Sequence, residues 1–125
     1  MLEFKNSVFK LKPISESDMV PDVKNMLINN ETILSAFESG RDQVIFTTKR
    51  VLAVDVKGIV GKKKEFSSLP YSKVQHFTVQ TPGFMELLSD GELILGFANG
   101  ILVQFEFGGK VDIISICKSV GECIL

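Results

Sequence analysis

Asp42 to Tyr71, DQVIFTTKRVLAVDVKGIVGKKKEFSSLPY, is the stretch whose reading decides the fold. It reads as three consecutive β-strands, Asp42–Thr48, Arg50–Val56 and Lys64–Leu69. Val44, Ile45 and Phe46 run together and so do the residues from Val51 to Val54, whereas a strand with one wet face alternates apolar and polar side chains. Both faces of this part of the sheet therefore need a cover. Lys57 to Lys63 holds two glycines and three lysines and reads as an exposed loop, and Pro70 closes the following strand because proline cannot donate to a ladder.

Upstream, Thr32 to Glu38 alternates, with Ile33 and Phe37 on one face and Leu34 and Ala36 on the other, and Ser39-Gly40-Arg41 is short enough for a hairpin. Pro21 suits the first turn of a short helix carrying Val23, Met26 and Leu27. Met1 to Lys12 interleaves Leu2, Phe4, Phe9 and Leu11 with charged residues and reads either as a docked arm or as a short extra strand. Downstream, Lys73 to Thr81 is a strand ended by Pro82-Gly83, and Phe84 to Gly91 is a longer connection whose Leu87 and Leu88 can fold back on the body. Leu93, Leu95 and Phe97 then alternate up to Asn99-Gly100, the pair that best tolerates the positive φ angles of a type I′ turn, and Ile101, Val103, Phe105 and Phe107 alternate after it. Val111 to Ile124 returns to helical spacing, with Ile113, Ile116, Cys117, Val120 and Ile124 on one face and Asp112 in the first turn.

Seven strands followed by an amphipathic helix is the order of a pleckstrin-homology-type (PH-like) barrel. The expected class is mainly β (α+β): seven antiparallel strands in two near-orthogonal sheets, capped by the C-terminal helix and preceded by a short helix. One domain accounts for the chain, with 1–30 as arm and helix, 31–107 as barrel and 111–124 as cap.

Composition narrows the functions. With 125 residues, 45% of them apolar, one well-filled core is expected. Fourteen basic against 15 acidic side chains leave a net charge of −1, so no global field draws the chain to nucleic acid. No apolar run approaches the ~18 residues of a membrane-spanning helix, and the N-terminus lacks a signal-type core, which reads as cytoplasmic. Cys117 and Cys123 lie six positions apart in one helix, roughly 9 Å along its axis, too far for a disulfide within it. A single His76 and two spaced cysteines make no metal-ligand set, and no cofactor motif is present.

The residues from Ile45 to Val74 resemble the signature of the bacterial PH-domain family. The matching pieces are Arg41-Asp42, the Phe46-Thr47-Thr48-Lys49-Arg50 hairpin, Asp55 to Lys63 with its two glycines and paired lysines, and Pro70-Tyr71-Ser72; Val111-Asp112-Ile113 resembles the family's helix opening. The resemblance implies a PH fold over nearly the whole chain and subunits that associate into ring-like homo-oligomers.

Several residues are candidates for a site. Ile45, Leu52, Val54 and Leu34 are expected at an interface between copies of the chain, because apolar side chains on both strand faces need covering; residues 1–30 wrapped over the exposed face are the alternative. Lys62, Lys63 and Lys64 form a basic tip that, with the Phe4/Phe9 arm, suits peripheral contact with anionic lipid, against a plainly solvated turn. Lys49 and Arg50, with Asp42 and Asp55, suit either an anion site or cross-strand ion pairs. The Ser39-Gly40-Arg41 loop carries too few basic residues for a polyphosphate head group. His76 has no nucleophile or carboxylate at a telling spacing, so the chain reads as a non-enzymatic interaction or scaffolding module whose partner is itself.

Overall fold

Residues 7–60, 63–81, 91–108 and 111–125 are described in the computed structural model. Strands form where turn chemistry interrupts the apolar runs: β1 at Ser7–Pro13, β2 at Ile33–Ser39, β3 at Asp42–Thr47, β4 at Arg50–Lys57, β5 at Lys63–Pro70, β6 at His76–Gln80, β7 at Gly91–Gly96 and β8 at Leu102–Phe107. Two helices, α1 at Asp22–Met26 and α2 at Ile113–Ile124, complete the regular elements. The β7–β8 connection is the expected turn: Asn99 and Gly100 both take positive φ, +65° and +73°, and the Ile101 N–H points back to the Ala98 carbonyl. Asp112 caps α2, its carboxylate accepting from the Ser115 N–H at 3.2 Å. Leu87 and Leu88 lie outside the described residues.

The strands make one curled sheet in the order β5-β4-β3-β2-β1-β8-β7-β6. The barrel has eight strands among the described residues where seven are expected, and one pairing is parallel. The N-terminal segment is the difference. Ser7 to Leu11 of β1 run parallel to Val103 to Phe107 of β8, while Lys12 and Pro13 pair antiparallel with Glu38 and Phe37 of β2. From Ser7 onward the segment is thus strand rather than arm, and it joins the β2–β5 half of the sheet to the β6–β8 half; Phe4 and the side chain of Phe9 lie outside the described residues. The strand after Pro70 starts late because Tyr71–Lys73 first makes a turn of 3-10 helix, closed by the Val74 N–H on the Tyr71 carbonyl.

Two apolar clusters explain the double-sided strands. Inside the curl, Phe37, Val44, Phe46 and Val51 from β2–β4 meet Leu93, Leu95, Val103, Phe105 and Phe107 from β7 and β8, and Ile113 and Val120 of α2 close the end. Four phenylalanines pack edge-on, with ring centroids 5.0 Å apart for Phe37–Phe107 and 5.3 Å for Phe46–Phe105. Close approach of α2 depends on glycine: a Cβ on Gly91 would sit 2.8 Å from the Ile113 Cβ. On the outer face, Ala36, Ile45, Leu52 and Val54 are covered by Met19 and Val23, with Ile14, Val20, Val56 and Phe66 around them.

That outer cover comes from the chain itself. Ile45, Leu52 and Val54, expected at an interface between copies, are each 0% exposed beneath residues 14–23 and have no surface to offer a partner. Hydrogen bonds hold the cover down: the buried Gln43 side chain accepts from the Val20 N–H at 2.9 Å and donates to the Asp18 carbonyl at 2.8 Å. Val23→Ala deletes two methyl-sized groups from this closed cluster and is expected to cost about 2 kcal/mol. Urea unfolding followed by circular dichroism measures it, and a change under a few tenths of a kcal/mol would mean the cover is not packed as described.

Candidate functional site

Glu31, at the entry to β2, is the most deeply buried ionised side chain to have a described ion-pair partner, with 0% of its side chain exposed. Its carboxylate accepts from Arg50 Nε at 2.9 Å and Nη2 at 3.0 Å, from the Thr47 hydroxyl at 2.6 Å and from the Ile28 N–H at 3.0 Å. Arg50 also donates to the Met26 carbonyl at 2.7 Å and to Ser68 Oγ at 2.9 Å. Burial alone would push the Glu31 carboxyl up; the bonds from Arg50, Thr47 and Ile28 outweigh it and hold the group below its ordinary value. Four of the five Arg50 N–H donors are therefore engaged inside the fold, which leaves the guanidinium little to offer an external anion. Its partner is Glu31, not Asp42 or Asp55 as the sequence suggests.

Asp42 and Asp55 stand at the far end of β4, where Asp42 Oδ1 accepts from the Val56 N–H at 2.9 Å. There Lys57 bonds Glu65 at 2.6 Å and approaches Asp55 at 3.8 Å, and the Glu65 carboxylate raises the lysine's pKa. Arg41 Nη1 donates to the Gly58 carbonyl at 2.8 Å, so the β2–β3 turn braces the loop after β4. Lys63 and Lys64 are exposed on β5 beside it, and Ile59 and Val60 project from the loop. Lys62 lies outside the described residues. β4 separates the exposed Lys49 from Lys63 and Lys64 by roughly 20 Å at the usual strand rise, so the hairpin and the basic tip are distinct surface regions. Of the expected interface residues only Leu34 reaches the surface, beside Ser115, Ile116 and Ser119 of α2.

His76 is exposed on the outermost strand β6, its ring lying over Gly96 where a methyl would overlap it. Both cysteines are free thiols, and burial followed by the charge of Glu122 raises the Cys123 pKa, favouring the unreactive form. Tyr71 is buried with its hydroxyl unpaired among the described residues, and desolvation raises its pKa well above the usual phenol value. Among the described residues no group of three or more His, Cys, Asp or Glu is placed to hold a metal ion, and no helix is long and apolar enough to cross a membrane.

Comparison with known proteins bears on this architecture directly. Residues 3–124 match the family described as bacterial PH domain. The chain belongs to the bacterial PH-domain family. This bacterial PH domain is 33% identical over 105 residues to the uncharacterized Bacillus subtilis protein YjqA, covering 84% of each chain. Among solved structures it is similar to a protein with a pleckstrin-homology domain from Shewanella loihica, with a TM-score of 0.76, 26% identity, and coverage of 94% of this chain and 99% of that one. A pleckstrin homology domain from Shewanella amazonensis aligns with a TM-score of 0.61 and 30% identity over 83% of each chain.

Sequence reasoning missed the Glu31–Arg50 pair, whose members are 19 positions apart. The available signal was Arg50 itself, a guanidinium opening a strand with no wet face, which demands a buried partner. Arg50→Met leaves the Glu31 charge unpaired and is expected to cost about 3–5 kcal/mol in urea unfolding at neutral pH. A depressed carboxylate contributes stability that is complete above its unfolded value and lost as pH falls through the folded one. Below pH 4.5, the ordinary glutamate value, the melting temperature of the natural chain should fall steeply, and Glu31→Gln should flatten that slope.

Proposed function

We propose that this chain is a non-enzymatic PH-like interaction module of the cytoplasm that self-associates into a ring-like homo-oligomer. The observation that carries the reading is the pair of outer strands: β5 and β6 each have one hydrogen-bonded neighbour among the described residues, leaving two unlike edges. Exposed edges recruit further strands. When the two edges of one molecule differ, edge-to-edge pairing is head-to-tail, and such contacts close into rings when the rotation between copies allows it. A scaffolding role is further supported by the absence of an activated nucleophile or acid–base pair among the described residues, and unpaired thiols suit a reducing compartment.

Size-exclusion chromatography with light scattering tests this over a range of protein concentration. The expected result is a discrete multimer that persists on dilution and that Thr78→Lys/Gln80→Lys, two exposed positions on β6, converts to a monomer with an unchanged circular dichroism spectrum. A 13.8 kDa species at every concentration overturns the reading.

A further inference from the structure

The loop between β4 and β5 displays apolar side chains where a solvated turn would carry polar ones. Ile59 is 102% exposed and Val60 74%, higher values than those of most exposed aliphatic residues in the described barrel. The turn begins at Gly58, whose φ of +83° is open to glycine without strain, and a Cβ there would meet nothing within 4 Å. Nothing described folds back over it.

Yet the base is built. Lys57 and Lys63 are the last pair of the β4–β5 ladder, Lys57 is held to Glu65 at 2.6 Å, and Arg41 donates to the Gly58 carbonyl at 2.8 Å. The apolar pair is thus carried at the end of a braced ladder. Behind it, the charge of Lys57 is compensated by Glu65 and Asp55, whereas Lys63 and Lys64 are exposed and form no ion pair among the described residues. Depth and charge therefore follow the layering of a lipid interface: aliphatic side chains outermost, ammonium groups within about 10 Å behind them at the usual strand rise. The described tip has no aromatic residue and its only arginine, Arg41, is bound to backbone, so it lacks the anchors that a protein pocket selects.

We infer that this tip is a bilayer-contact element, with Ile59 and Val60 entering the interface of an anionic phospholipid membrane and Lys63 and Lys64 meeting its phosphates. The inference does not rest on self-association, because each copy carries its own tip; a ring would add avidity by presenting several tips at once.

Co-sedimentation of the full chain with phosphatidylglycerol-containing vesicles, and with pure phosphatidylcholine vesicles, provides the test. Binding to the anionic vesicles should weaken by about tenfold or more in Ile59→Asp/Val60→Asp, where apolar contact is replaced by like charge. Lys63→Glu/Lys64→Glu should lose a similar factor together with the salt dependence of binding. All four substitutions fall at exposed positions, and unchanged circular dichroism melting shows that the fold is kept. Thr78→Lys/Gln80→Lys, which tests assembly, should retain dependence on Ile59 and Val60 at lower overall affinity. Glycerol phosphate in solution should not release the bound protein, because it offers no apolar phase. Failure to sediment with anionic vesicles, binding unaffected by Ile59→Asp/Val60→Asp, equal binding to neutral vesicles, or full release by glycerol phosphate would each overturn the inference.

Discussion

Strands β3 and β4 cannot stand in water on either face, and that constraint organises the molecule. Val44, Phe46 and Val51 require the interior of the curl, and Ile45, Leu52 and Val54 require a second apolar layer outside it. Bending the sheet on itself answers the first demand, with α2 sealing the end. The N-terminal segment answers the second by laying Met19 and Val23 across the outer face. Neither layer substitutes for the other, since side chains alternate between faces and a register slip of one residue would exchange the two sets. Gly91 allows α2 near enough to finish the inner layer, much as Gln43 fixes the outer one by bonding both sides of the cover.

The Glu31–Arg50 pair sits where these layers are stitched together. Arg50 reaches the α1 end through the Met26 carbonyl, β5 through Ser68 and the start of β2 through Glu31. A buried ion pair is a weak source of net stability, because desolvation offsets most of the attraction. What it supplies is definition: an apolar cover could slide along an apolar strand face, whereas a guanidinium with four specified acceptors has one satisfied position. The same residue that resembles part of a surface motif in the linear chain is thus an internal tie.

Much of the architecture was legible in the residues. Asn99-Gly100 states its turn because few pairs tolerate two positive φ angles, and α2 states its face through regular helical spacing. The unbroken apolar runs of β3 and β4 state that two covers exist. They do not state who supplies them: residues 14–20 have no periodicity, and the short stripe of Val23, Met26 and Leu27 does not say which surface it covers. Assigning Ile45, Leu52 and Val54 to a partner rather than to residues 14–23 followed from that silence. The parallel pairing of β1 was hidden for a related reason, since alternation shows that a segment is extended but not which neighbour it joins.

The position of β1 has a temporal consequence. Ser7 pairs with Val103, and Leu11 with Phe107, so the first described strand has its main partner in the last. On the ribosome, β1 emerges long before β8 exists, and the seam joining the two halves of the sheet can form only once β8 has been synthesised. Closure of so long a loop is entropically demanding and slows folding relative to hairpin formation. The β2–β5 meander, built from neighbours in the chain, is by contrast free to assemble early, with its cover of residues 14–23 already synthesised ahead of it. The nascent protein is thereby able to shield its most apolar strands on one side while it waits for the other.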